Sequence, residues 1–338
     1  MTTIYKTHTR LHVIVLICLI LQGCDFNSSL SLNRTWINDH IDEKKRDEIK
    51  KINQRLIEGF KNNDASLVKA VMSDTLLQVS GSRIDSITNQ VSPSFHSGRY
   101  SILNEYNILN TSANVTNTIK ETDARGNQYT INYLALNKEM YVSLLLIKDN
   151  TGDILLTTIY GNYDGKWKMN IFRVGRYRYY GKSAMDLYQI AKKDFARSYL
   201  VDAVCDLSMA NECISPASGI FQYKKEAEYK SFFDTVLNNV KSKYHFPLTL
   251  DRIASKPKLL NIYPQMADEG YFPLVIYLSD INLKDTVSLK TEYENVKIEI
   301  KRLFTGISTG KKYTYYQAYN QIPDGIHSVP YYGFTDAR

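Results

Sequence analysis

Proton transfer in a polar cleft needs a carboxylate or imidazole beside phenol or amide donors. The stretch from Tyr100 to Tyr106 supplies Tyr100, Glu105 and Tyr106, and Tyr133 falls on a neighbouring β-like segment. These four are the candidate pocket residues, although ordinary strand tyrosines account for the same positions. The histidines beyond residue 23 are His40, His96, His245 and His327. They lie far apart, and none has a partner at the i, i+4 spacing of a helical metal site. No metal centre, cofactor motif or Gly-x-Ser-x-Gly elbow is expected. Gly175 to Gly181-Lys182-Ser183 follows a strand pattern and precedes a helix, as a phosphate loop does. Its intervening Arg-Tyr-Arg-Tyr-Tyr is one residue too long, and too bulky for backbone N–H groups to wrap a phosphate. The same segment carries a basic aromatic strip, Arg173, Arg176, Arg178 and Lys182, placed to meet lipid headgroups or a partner protein, or to pack between domains.

The remaining chemistry is a thiol. Residues 1–23 begin with Lys6 and Arg10, continue through an unbroken apolar run from Val13 to Leu21, and end on Gly23 before Cys24. That order is a signal-peptide pattern, and the run is too short for a membrane-spanning helix. Leu21-Gln22-Gly23-Cys24 resembles the lipobox of bacterial lipoproteins, with Gln22 standing where the family prefers a small or apolar residue. The resemblance implies cleavage between Gly23 and Cys24, acylation of Cys24, and a chain held at the membrane with its soluble part outside the cytoplasm. Several acyl chains hold stably because each buried CH₂ contributes about 0.8 kcal/mol. Asp25 resembles an inner-membrane retention signal; that rule varies between lineages, so either membrane stays open.

Without residues 1–23 about 315 residues remain, enough for two or three domains. The formal charge falls from +7 to +5 with the loss of Lys6 and Arg10. This mild charge, outside the cytoplasm, argues against a nucleic-acid partner and for solubility or attraction to anionic lipid. At 43% hydrophobic, with 26 tyrosines, the chain can bury a substantial core. Cys205 and Cys213, read on one helix, would sit about 12 Å apart, too far to bridge.

Residues 24–39 read as a flexible tether. Ile49, Ile52, Leu56 and Phe60 recur at helical spacing between Asp42 and Lys61. Asp64 caps a second helix, and a weaker third lies near residues 82–90. Strands follow: 99–109, 128–136, 141–148, 154–163 and 166–174. Asp164-Gly165 marks a two-residue hairpin. Helices before an antiparallel meander give an α+β class. Residues 40–176 resemble the NTF2/SnoaL-like cone fold in the opening helix, in Lys61-Asn-Asn-Asp64 and in the closing hairpin. Leu187, Ile190, Ala191, Tyr199, Ala203, Leu207, Ala210 and Pro216 resemble one tetratricopeptide unit, implying a helical hairpin over 183–245. Asp194 and a late Pro216 depart from that pattern. Residues 246–338 read as a small C-terminal α+β domain with a strand at 272–278, a long helix capped by Asp285 and a tyrosine-rich strand at 311–322.

The function this supports is a non-enzymatic binding or scaffold module at the cell envelope, with a protein, envelope component or small ligand as partner. Two others stay open. One is a cone-fold lyase, isomerase or hydrolase with an acid–base residue in its pocket. The other is an immunity protein that neutralises a secreted toxin.

Overall fold

The computed structural model describes residues 33–324 and 326–337. Gly23, Cys24 and the signal segment lie outside the described residues. What is described is a mixed α+β chain.

Helix α1 (Glu43–Lys61) starts where Asp42 accepts a hydrogen bond from the Lys45 amide at 3.1 Å. Its apolar stripe buries Ile49, Leu56, Ile57 and Phe60. Asn63 takes a left-handed conformation, φ 53°, turning the chain so that Asp64 caps α2 (Ala65–Ala70). Helices α3 (Asp74–Ser80) and α4 (Ile84–Val91) complete this layer.

The first sheet runs β1-β2-β5-β6-β7-β8. It contains β1 (Arg34–Ile37), β2 (Tyr100–Leu109), β5 (Glu139–Asp149), β6 (Gly152–Tyr163), β7 (Lys166–Tyr179) and β8 (Lys182–Ser183). Asp164 and Gly165 both have positive φ, 52° and 85°, as the hairpin turn requires. The central strands are buried on both faces. Tyr141, Leu145, Ile147, Ile154, Leu156 and Tyr160 pack with α1, α2 and α4. Val142, Leu144, Leu146, Leu155 and Ile159 face the other way, into a second cluster. Burial on both sides explains why these strands are continuous apolar runs rather than alternating ones.

The second face is covered by a three-stranded sheet and three helices. β3 (Val115–Thr122) pairs with β4 (Gln128–Ala135), and β4 pairs with β9 (Phe221–Tyr223), which arrives nearly ninety residues later. The helices are α5 (Ala184–Ala196), α6 (Leu200–Cys213) and α7 (Glu226–Lys243). Ala191, Ala203 and Ala210, the small residues expected where helices approach, are fully buried in this cluster with Tyr106, Tyr129 and Tyr229. Residues 183–245 therefore share their core with the first sheet.

The C-terminal sheet has the order β10-β11-β12-β13-β14. Its strands are β10 (Leu248–Thr249), β11 (Lys258–Ala267), β12 (Gly270–Leu278), β13 (Tyr313–Tyr319) and β14 (Tyr331–Ala337). Only β12 and β13 are parallel, joined through α8 (Thr286–Leu303), which Asp285 caps. The aromatic tail docks as β14: Phe334 stacks on Tyr293 of α8 with centroids 4.3 Å apart. Helix α6 serves two cores. Ala203, Leu207 and Ala210 enter the first, while Leu200, Val201 and Cys205 enter the C-terminal one. Cys205 and Cys213 are buried and unpaired.

Candidate functional site

A bulge in β2, between Ile102 and Asn104, decides where the expected pocket residues go. The extra residue shifts the alternation, so Tyr100, Ile102 and Glu105 face α1 while Tyr106 faces the opposite side. The four expected residues are thus divided. Tyr100 and Glu105 share a groove; Tyr106 and Tyr133 do not reach it.

That groove, of about 210 Å³, lies between α1 and the β2 edge, with Arg46, Lys50, Asn53, Tyr100 and Glu105 in its walls. Arg46 Nε donates to Glu105 Oε1 at 2.7 Å, and its Nη1 donates to Asp39 Oδ1 at 2.9 Å. The Glu105 bond raises the guanidinium further above its ordinary value, with burial opposing it. Burial first, and the Glu105 charge second, push the Tyr100 phenol upward. Beneath lies a buried polar row. Asn53 donates to Ser143 Oγ at 3.3 Å and accepts from Tyr160 Oη at 2.6 Å. Further along, Glu139 accepts from Lys45 at 2.5 Å and from Asn162 at 2.7 Å. Burial pushes Glu139 upward, but these bonds and one from Asn107 outweigh it and hold the carboxyl below its ordinary value. A carboxylate clamped by arginine is built to hold α1 on the sheet; a proton acceptor for a ligand would need that clamp to open.

On the opposite face, aromatic rings fill the space between the two sheets. The Tyr106 and Tyr129 hydroxyls approach to 3.4 Å, and Asn104 donates to Tyr129 at 2.8 Å. Tyr129 stacks on Phe221 at 4.6 Å, and Tyr133 accepts from Asn117 at 3.3 Å. Burial holds the Tyr106, Tyr133 and Tyr177 phenols above their ordinary range. A wider, open concavity of about 610 Å³ lies over β3, β4 and β9, where Lys120, Gln128, Gln222 and Lys224 contribute.

Two members of the basic strip, Arg176 and Arg178, form ion pairs within the sheet. Arg176 bonds Asp149 at 3.0 Å and lies 4.9 Å over the Tyr179 ring. Arg178 pairs with Asp153 across β6 and β7, and Arg173 donates to the Phe172 carbonyl. Lys182 sits 5.7 Å from the centre of the Tyr271 ring in the C-terminal sheet. Nearby, sequence inspection missed a buried acidic pair because the groups that complete its surroundings, Tyr271 and Lys311, come from distant parts of the chain. Asp202 and Asp206 are consecutive turns of α6, both about 95% buried. Lys311 lies 3.2 Å from Asp202, and Tyr271 donates to Asp206. Burial raises both carboxyls, with Lys311 opposing; Asp206 reaches about 7.

Among the described residues no group of three His, Cys, Asp or Glu side chains is placed to hold a metal ion. No described helix is long and apolar enough to cross a membrane. Compared with known proteins, the chain matches no family model, no curated protein and no solved structure.

Proposed function

We propose that the chain is an exported bacterial lipoprotein, acylated at Cys24, whose folded part is a non-enzymatic binding or scaffold module at the cell envelope. In this reading residues 40–176 form an NTF2-like cone, residues 183–245 a tetratricopeptide-like hairpin that plugs it, and residues 246–338 an appended α+β domain. The supporting observation is the interior of the curled sheet, occupied by Tyr106, Tyr129, Tyr133, Phe221 and Tyr223. A cone-fold enzyme keeps that space for substrate. The lipobox pattern at residues 21–24 supports the membrane address.

One observation favours a second reading. The groove at α1 places a carboxylate, Glu105, beside a phenol, Tyr100, as an acid–base lyase or isomerase would require. The Arg46 clamp stands against it.

In-cell crosslinking of the tagged full-length protein, followed by identification of what co-purifies, tests the binding role; repeated recovery of the protein alone would overturn it. Anchoring is tested by Cys24→Ala. The native chain should incorporate labelled palmitate and sediment with membranes, and the variant should do neither. A variant that sediments unchanged, with no palmitate in either form, would remove the lipoprotein assignment.

A further inference from the structure

A β-sheet ends on backbone groups that can pair with another strand, and folded chains blunt such edges. This chain blunts two of its long edges with its own side chains. Along β3, Asn117 Oδ1 accepts from the Thr118 amide at 2.8 Å and Glu121 Oε1 from the Thr122 amide at 2.9 Å. The C-terminal sheet treats β11 the same way, because β10 covers only Lys258 and Leu259. Beyond a bulge, Asn261 Oδ1 accepts from the Ile262 amide at 2.8 Å, and Pro264 has no amide hydrogen. Gln265 Nε2 then donates to the Met266 carbonyl at 3.2 Å. Ile262, Pro264 and Met266 alternate along the strand, so their backbone groups point the same way.

The opposite edge of that sheet, β14, is left open. Its register with β13 runs unbroken from Tyr331 to Ala337, and it contains no proline. Among the described residues neither a side chain nor another strand bonds to its outer backbone groups. Its one charge, Asp336, is drawn to Lys301 at 2.7 Å and Lys297 at 3.9 Å on α8. Three features of this edge fit a second copy of itself. The first is size: laid antiparallel about a two-fold axis at Phe334, Tyr331 falls opposite Ala337 and Gly333 opposite Thr335, so the larger side chain meets the smaller. The second is charge: Asp336 falls opposite Tyr332, and no like charges meet. The third is area. Seven residues of strand, about 23 Å long, bury less than the roughly 1,000 Å² that a stable interface needs. Val287 and Ile298, about three turns apart on α8, are 77% and 65% exposed and lie on one helix face, next around from Lys297 and Lys301. A foreign peptide strand would leave them bare. A two-fold that pairs antiparallel strands stands perpendicular to the sheet, so a second copy brings its own α8 to the same face.

We propose that β14 pairs with β14 of a second copy of this chain, antiparallel and centred on Phe334, joining two five-stranded sheets into one with both α8 helices on the same face. The dimer goes beyond the binding role and needs neither the anchor at Cys24 nor a partner protein.

Sedimentation equilibrium of the full-length protein in non-ionic detergent should show a dimer. Gly333→Lys with Thr335→Lys sets like charges across both halves of the seam and should weaken dimerisation about tenfold. Both positions are exposed, and a Cβ at Gly333 meets nothing nearer than 3.6 Å, so the thermal melt of the monomeric variant verifies the fold. Register is read by oxidative crosslinking. A copy carrying Gly333→Cys, mixed with one carrying Thr335→Cys, should crosslink above the parent chain and far better than either variant alone. A monomer at every concentration, an undiminished dimer in the lysine variant, or a mixture that crosslinks no better than its components would overturn the proposal. So would lysine-sensitive capture of an unrelated extended peptide by a monomeric chain, which would give the edge to a foreign strand. Partner capture in cells is scored on other proteins, so the dimer and the binding role can fail separately.

Discussion

Tyr271, near the start of β12, donates its phenolic hydrogen to the Asp206 carboxylate on α6. The bond joins the C-terminal sheet to the helix that also closes the first core. The groups acting on Asp206 are Tyr271, Lys311 and Asp194, with Cys205 and Asp202 alongside on α6.

This junction gives stability a pH dependence. The folded-state value of Asp206, about 7, lies above its ordinary 3.8. The folded chain therefore keeps a proton that the unfolded chain releases. The associated stability is fully present below about pH 4 and is lost as pH rises through about 7. Melting temperature should fall between about pH 4 and pH 7, and fall less in Asp206→Asn. Parallel curves for the two proteins would refute the assignment.

Arg46→Ala should leave Glu105, whose side chain is 5% exposed, without its cation. One-third of the Arg46 side chain is exposed, so the cost is about 2 kcal/mol rather than that of a fully buried pair. Urea unfolding measures it. Glu105→Gln, which keeps an acceptor, should cost less.

Gly175 lets β7 touch the segment after α6. A Cβ there would lie 2.4 Å from the Pro216 carbonyl oxygen, a backbone atom that cannot swing away. Gly175→Ala should destabilise by about 1–3 kcal/mol. Gly165→Ala meets nothing within 4 Å but has φ +85°, so its smaller loss, about 1 kcal/mol, isolates backbone strain from collision.

Cys205 and Cys213 should resist thiol reagents until the chain unfolds. Both are buried, and burial pushes the Cys213 thiol up to about 12. Little thiolate then exists at pH 8. Mass spectrometry of pulse-labelled native protein should find these two positions unmodified, and rapid labelling would contradict their placement.

The elements most legible in the sequence were those with a local signal. Asp42, Asp64 and Asp285 all cap helices, and Asp164-Gly165 turns the hairpin. β3 and β11 lacked such a signal: Val115–Thr122 is mostly polar because its outer face is exposed, and Lys258–Ala267 carries a proline. β9 is three residues long and owes its existence to β4, far away in sequence. The candidate pocket was misgrouped by the single extra residue near Leu103, since a bulge reverses alternation without leaving a composition cue. The acidic pair was invisible because Asp206, Tyr271 and Lys311 converge only through tertiary packing.

The late pairing of β9 with β4 sets an order of events. A chain emerging from its N-terminus reaches residue 179 with β1 to β7 in hand, but on the second face of the sheet only β3 and β4 of the covering layer are present. The cluster that holds Val142, Leu144, Leu155 and Ile159 is completed only by α5, α6 and residues 221–223. A premature stop before about residue 236 should therefore yield an insoluble fragment rather than a smaller working protein.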